Sequence, residues 1–102
     1  MGKKILEINI KYDVPEDQLL TILPEKAQQF AAVDGLELKV WIVNPEKKVF
    51  GGIYLFKDDA SLTAYMESDL FKSLDKHPAF SDMKAKHFDV LPEFSKITRG
   101  PI

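Results

Sequence analysis

Few side chains in this sequence can move a proton or a bond at neutral pH: two histidines, three tyrosines and no cysteine in 102 residues. His87 stands between Lys86 and Phe88 in a stretch that reads as strand. An imidazole titrates near neutrality, which suits a general base, although a half-exposed, hydrogen-bonded histidine is the ordinary alternative. His77 precedes Pro78 in a loop, where we expect it to be solvated and without a role. Two histidines ten residues apart, without paired carboxylates, do not make a metal constellation. The missing cysteines exclude disulfides, thiolate chemistry and cysteine zinc sites. Gly51-Gly52 lacks the spacing and following helix of a phosphate loop, and reads as close backbone packing or a bulge. No nucleophile elbow, Ser-His-Asp set or carboxylate pair presents itself, so hydrolase and glycosidase chemistry find no support. What remains is aromatic: Trp41, Tyr54, Phe56, Tyr65 and Phe88. Each of these also has a packing reading, and a buried Trp or Tyr needs a partner for its polar end.

These residues sit mostly in two β-rich runs, residues 36–43 and 49–56, flanking Asn44-Pro45-Glu46-Lys47-Lys48, the pattern of an antiparallel hairpin with a longer loop. Leu36, Leu38, Val40 and Ile42 point one way, and Glu37, Lys39 and Trp41 the other. The second run is apolar on both faces through Phe50, Ile53, Tyr54, Leu55 and Phe56, so both faces need cover. Residues 5–12 alternate as a strand, with Leu6, Ile8, Ile10 and Tyr12 on one side. A helix is expected to follow Pro15, with Leu19, Leu20, Leu23, Ala27, Phe30 and Ala31 as its stripe, a kink or break at Pro24, and a left-handed stop at Gly35. Asp58 and Asp59 suit the start of a second helix carrying Leu62, Tyr65, Met66 and Leu70, and residues 71–77 suit a further short turn. A last strand is expected over 83–91. The tail, 92–102, has two prolines and a glycine and reads as an arm laid over a partner subunit.

The order is β-α-β-β-α-β, an α+β ferredoxin-like arrangement: one domain over 1–102, a four-stranded antiparallel sheet, and helices on one face. Ile53, Leu55, Trp41 and Tyr54 leave the second face uncovered, and a twofold dimer with sheets face to face is the simplest cover. A formal charge of −2 without a basic stripe argues against nucleic acid. No run approaches the ~18 apolar residues of a membrane span. Met1-Gly2 starts like a myristoylation signal, but Leu6 stands where Ser or Thr is needed. The chain enters its first strand without a signal-peptide block, so a cytoplasmic protein is expected.

Lys39-Val40-Trp41, Gly51-Gly52-Ile53-Tyr54-Leu55-Phe56, Ala64-Tyr65 and Lys86-His87-Phe88-Asp89-Val90 together resemble the YdhR-like monooxygenase family. That family belongs to the dimeric α/β-barrel group that includes cofactor-independent monooxygenases of antibiotic biosynthesis. The resemblance implies a homodimer that oxidises a small aromatic or polycyclic substrate, such as a quinol or anthrone, without metal, flavin or other cofactor. Such a site must bind a flat ring, exclude water, remove a proton and stabilise an oxyanion. On that reading Trp41, Phe56, Tyr65 and Phe88 line the substrate, Asn9 and Tyr12 orient it, and His87 or Tyr54 assists proton removal. Two rivals use the same residues: a homodimeric module that shelters a hydrophobic metabolite without turnover, and a structural dimer whose aromatics only pack.

Overall fold

The computed structural model describes residues 2–102, leaving Met1 of the Met1-Gly2 start outside the described residues. The elements run β1 (Lys4–Tyr12), α1 (Glu16–Ala31), β2 (Leu36–Asn44), β3 (Val49–Phe56), α2 (Asp59–Met66), α3 (Asp69–Lys76), β4 (Phe80–Asp89) and α4 (Pro92–Ile97). The strands form one antiparallel sheet in the order β2-β3-β1-β4, the expected ferredoxin-like topology. Among the described residues no helix is long and apolar enough to cross a membrane.

The alternation in β1 sets the layers. Leu6, Ile8, Ile10 and Tyr12 are buried and join Leu19 and Phe30 of α1, Leu62 and Tyr65 of α2 and Leu74 of α3 in a single core. The other parity faces away from these helices. By register it carries Ile5, Glu7 and Asn9 of β1, Gly51, Ile53 and Leu55 of β3, Leu38, Val40 and Ile42 of β2, and Lys84, Lys86 and Phe88 of β4. A register shift between Leu36 and Leu38 moves Leu36 to the helix side, opposite Phe56. Of the four residues expected to leave the second face uncovered, Trp41 and Tyr54 therefore lie on the helix side; Ile53 and Leu55 lie on the open one. Val40 is 53% exposed there and Phe88 49%.

Local chemistry explains the boundaries. Glu16 and Asp17 occupy the first turn of α1, complementing the positive end of its dipole. The helix then runs through Pro24 as one element, so of the expected kink or break the break into two helices does not occur. Pro24 and Leu20, one turn before it, are both exposed, so water can serve the carbonyl that proline leaves unpaired. Leu20 thereby leaves the buried stripe assigned to it. Gly35 has φ 81°, as a left-handed stop requires. The Asp58 carboxylate accepts the Ser61 N–H at 2.8 Å and caps α2. The Ser68 hydroxyl accepts the Phe71 N–H at 3.2 Å and starts α3, a full helix where a short turn was expected. β4 begins at Phe80, three residues earlier than the alternation suggests, because Asp82 has φ 52° beside a register shift opposite Asn9 and Lys11. Phe80 is held there between Phe50, 4.7 Å away, and the stacked ring of His77 at 4.4 Å. His77 Nδ1 also accepts the Ala79 N–H at 3.1 Å, so this histidine shapes the turn, where solvation alone was expected.

The C-terminal arm forms a short helix with Pro92 at its start. Leu91, Phe94 and Ile97 remain exposed on it. The radius of gyration is 14.1 Å, against about 13 Å for a compact chain of this length.

The two neighbouring glycines of β3 differ in what surrounds them. A Cβ on Gly51 would lie 1.7 Å from the Ile8 carbonyl oxygen, which belongs to the central strand and cannot yield. A Cβ on Gly52 would meet first the Lys39 Cε at 2.6 Å, the far end of a flexible side chain. Gly51→Ala should therefore cost about 2–3 kcal/mol or more, and Gly52→Ala clearly less. Urea unfolding of the two variants side by side reads the difference; equal losses would show that β3 has slack beside β1.

Candidate functional site

Cross-strand register draws one line across the helix side of the sheet. Lys39 pairs with Tyr54, Tyr54 with Leu6, and Leu6 with His87. The four side chains share a face, but they span the sheet from edge to edge. Three strand spacings separate Lys39 from His87, about 14 Å. His87 is exposed on β4, while the aromatic residues gather over β2 and β3.

Their centre is Phe30, on the last turn of α1. Its ring lies 5.5 Å from Trp41, 5.7 Å from Tyr54 and 5.7 Å from Tyr65. Phe56 is fully buried and stacks on Tyr65 at 5.6 Å and on Tyr54 at 6.0 Å. The Tyr54 and Tyr65 hydroxyls lie 3.3 Å apart, each serving as the other's hydrogen-bond partner. Burial pushes the Tyr54 phenol up to about 12, with the hydrogen bond from Tyr65 pulling weakly the other way. Burial, then the neighbouring Tyr54, raises the Tyr65 phenol further. Both phenols keep their protons at neutral pH. They can donate a hydrogen bond but are poorly suited to act as a base.

Lys39 reaches into this cluster. Its Nζ lies 3.3 Å from the ring centroid of Phe30, 3.4 Å from that of Trp41 and 4.5 Å from that of Tyr54. Among the described residues no carboxylate pairs with it; Glu37, the nearest acid along β2, pairs with Lys3. Burial pushes the Lys39 amine down to about 6. The aromatic faces attract a cation and so oppose that shift. The amine opens onto a cleft of about 280 Å³ between α1 and β2, lined by Ala27, Phe30 and Ala31 on one side and by Leu36, Glu37, Leu38, Lys39 and Trp41 on the other.

The sequence-derived candidates thus divide. Trp41 is half-buried at the cleft, with Tyr54, Tyr65 and Phe56 behind it. Tyr12 is on the same face but six residues along β1 from Leu6, about 20 Å away, packed against Phe50 at 6.1 Å. Asn9 and Phe88 lie on the open face, where Asn9 donates from Nδ2 to Glu7 Oε2 at 2.9 Å. One pocket cannot gather all of them. Phe30 and Lys39 were missed as site residues. The signal for Lys39 was present, since it stands two residues before Trp41 in an alternating run and must share its face.

A family model described as "Putative mono-oxygenase ydhR" matches residues 5–101. No curated protein matches the sequence. Among solved structures, a Nitrosomonas europaea protein of unknown function, NE2512, is similar with a TM-score of 0.74 at 20% identity, over 89% of this chain and 91% of that one. SnoaB, a cofactor-independent oxygenase from Streptomyces nogalater, gives 0.71 at 10% identity over 89% and 95%. A Caulobacter crescentus protein described as a "putative antibiotic biosynthesis monooxygenase" gives 0.69 at 15% identity over 88% and 91%. At these identities the likeness to solved structures concerns the fold.

The Lys39 environment has a consequence for stability. In the unfolded chain this amine holds its proton to about pH 10.4, whereas in the fold burial releases it near 6. Between those values the unfolded state binds more protons, so this group makes stability rise with pH across that window. Lys39→Met should be more stable than the parent near neutrality and should lack this part of the slope. Urea titrations of both proteins from about pH 6 to about pH 10 test it; parallel curves would mean that the amine stays protonated in the fold.

Proposed function

The chain belongs to the ydhR mono-oxygenase family, and from that premise we propose that it oxidises a small electron-rich aromatic substrate with molecular oxygen and no cofactor. The observation that carries this reading is the cleft between α1 and β2, walled by Phe30 and Trp41 with two protonated tyrosines behind. A volume of about 280 Å³ is at the lower bound for ligand pockets, which favours a compact substrate.

In this reaction the substrate supplies the reducing power. A quinol or anthrone that has lost a proton passes one electron to O2, and the two radicals join through a new carbon–oxygen bond. The same carbon then loses its remaining proton, the electron pair of that C–H bond forms a carbonyl as the oxygen–oxygen bond breaks, and the outer oxygen leaves as water with that proton and the one first removed. The protein's part is to hold the ring flat, exclude water, take the first proton and donate a hydrogen bond to the oxyanion. Trp41 and Phe30 serve the first task; Tyr54 and Tyr65 are protonated donors at the cluster's inner edge. His87 is separated from the cleft by the width of the sheet, and the proton transfer does not use it. A module that only shelters the same ring remains the competing reading, and turnover separates the two.

The reading includes a homodimer joined through the open face. Val40, Ile42 and Phe88 are exposed there, and Leu91, Phe94 and Ile97 continue the apolar surface onto the C-terminal arm. A second copy, sheet against sheet with the arm reaching across, would bury both.

Oxygen uptake with a panel of quinols and anthrones, without flavin, metal or haem, should proceed with the wild-type chain. An aromatic contact is worth about 1 kcal/mol or slightly more, so Trp41→Ala should lower kcat/KM by about five- to tenfold. His87→Ala should leave it within about twofold. Binding without oxygen uptake would favour the sheltering module, and a large His87 effect would move the site to β4. Sedimentation at micromolar protein should give two chains, and Val40→Lys with Phe88→Lys should give one. A wild-type monomer would refute the dimer.

A further inference from the structure

We propose that Lys39 is the proton acceptor of the cleft, and that the cleft selects acidic aromatic hydroxyl compounds or their enolisable equivalents by taking that proton. The proposal rests on the aromatic cleft reading and adds to it the group that performs its first step.

Three independent features of the geometry support it. The first is position: Lys39 lines the cleft and presents its Nζ beside Phe30 and Trp41, two rings in edge-to-face contact that line the same cleft. The second is how the side chain gets there. Gly52 has no Cβ, and one built there would lie 2.6 Å from the Lys39 Cε, so the stem crosses the sheet where a side chain is missing. The third is that, among the described residues, no carboxylate is paired with the amine. The groups around the amine are Glu37 on β2, Tyr54 on β3 and Tyr65 on α2; α1 contributes Ala27, Phe30 and Ala31, while Lys26 turns away to the Ser73 hydroxyl at 3.1 Å. Glu37 is held by Lys3 and both phenols are protonated. Burial moves the amine to about 6 and leaves it a lone pair at neutral pH, against the pull of the ring faces on an ammonium.

The chemistry follows from what surrounds the amine before and after transfer. A bound phenol or quinol loses the proton of its O–H bond to the Nζ lone pair, and the electron pair stays on the substrate oxygen. The products are an ammonium and an aromatic oxyanion in contact. The three ring faces that gain nothing from a neutral amine attract the ammonium once it forms, and the two opposite charges attract strongly away from water. The cage therefore favours the state after proton transfer over the state before it, as a base site should. A substrate without an acidic proton gains neither interaction.

para-Nitrophenol, whose phenolate absorbs in the visible, serves as a probe that oxygen does not consume. Mixed with the wild-type protein below the probe's own ionisation, it should bind with the phenolate band, its apparent ionisation shifted by about tenfold or more in proton concentration. Lys39→Met should bind it as the colourless phenol. Gly52→Ala, which keeps the amine but displaces it, should fall between. With oxidisable substrates, Lys39→Met should lose about a hundredfold to ten-thousandfold in kcat/KM. A phenolate band that persists in Lys39→Met overturns the proposal, as does a wild-type protein that binds no probe or binds only the neutral phenol. Phenolate capture without oxygen uptake from any quinol or anthrone would remove the oxygenase reading and leave Lys39 as the base. Oxygen uptake at the wild-type rate in Lys39→Met would do the reverse.

Discussion

Residue parity along four antiparallel strands decides which side chains of this protein can ever meet. Successive side chains of a strand point to opposite faces, and register then transmits one strand's choice to the next. Because Leu6 faces the helices, Tyr54, Lys39 and His87 must do so as well. Because Ile5 faces away, so do Leu55, Leu38 and Phe88. The helices cover only one of these faces, and the aromatic cluster around Phe30, the cleft and the half-buried Lys39 amine all lie under them. The open face carries a different surface, apolar around Ile53 and Val40 and charged around Glu7, Lys84 and Lys86.

The same constraint explains why a lysine is tolerated inside an aromatic cluster. An ammonium taken out of water without a carboxylate is costly, and proteins ordinarily avoid this by pairing the charge or losing it. Here Glu37, the acid on the same cleft, is paired with Lys3, and among the described residues none is paired with Lys39. Deprotonation is the remaining route, and burial drives it. The cost is accepted at a site rather than in the general core, where Leu or Met would fill the same space with no penalty.

Much of the architecture was legible in the residues. The alternation of β1, the hairpin loop at Asn44–Lys48, the left-handed Gly35 and the Asp58 cap each rest on local chemistry that no tertiary contact reverses. What could not be read was position across the sheet. Period-two alternation places Lys39 with Trp41 but does not say which face the helices will take, so Trp41 and Tyr54 were assigned to the uncovered one. It cannot tell that His87 sits on the far edge strand from Trp41, since strand order is a property of the whole fold. The start of β4 was hidden for a local reason: the positive φ of Asp82 interrupts the alternation where the strand begins. The candidate site suffered most because a cleft is a relation between elements, and Phe30 enters it from a helix whose stripe reads only as core.

The two faces also separate two requirements that would conflict on one. A cleft that admits a ligand needs an entrance, and the gap between α1 and the edge strand β2 supplies one. A subunit interface needs continuous apolar contact with no entrance, and a sheet face offers that. Placing the cleft under the helices leaves Val40, Ile42 and Phe88 free for packing without closing the site. β2 lies at the junction of the two: Trp41 and Lys39 point into the cleft while Val40 and Ile42 point out. A second copy seated on the outward residues would stiffen the strand that carries the inward ones. Association and catalysis would then be coupled through a single edge strand, with no residue belonging to both.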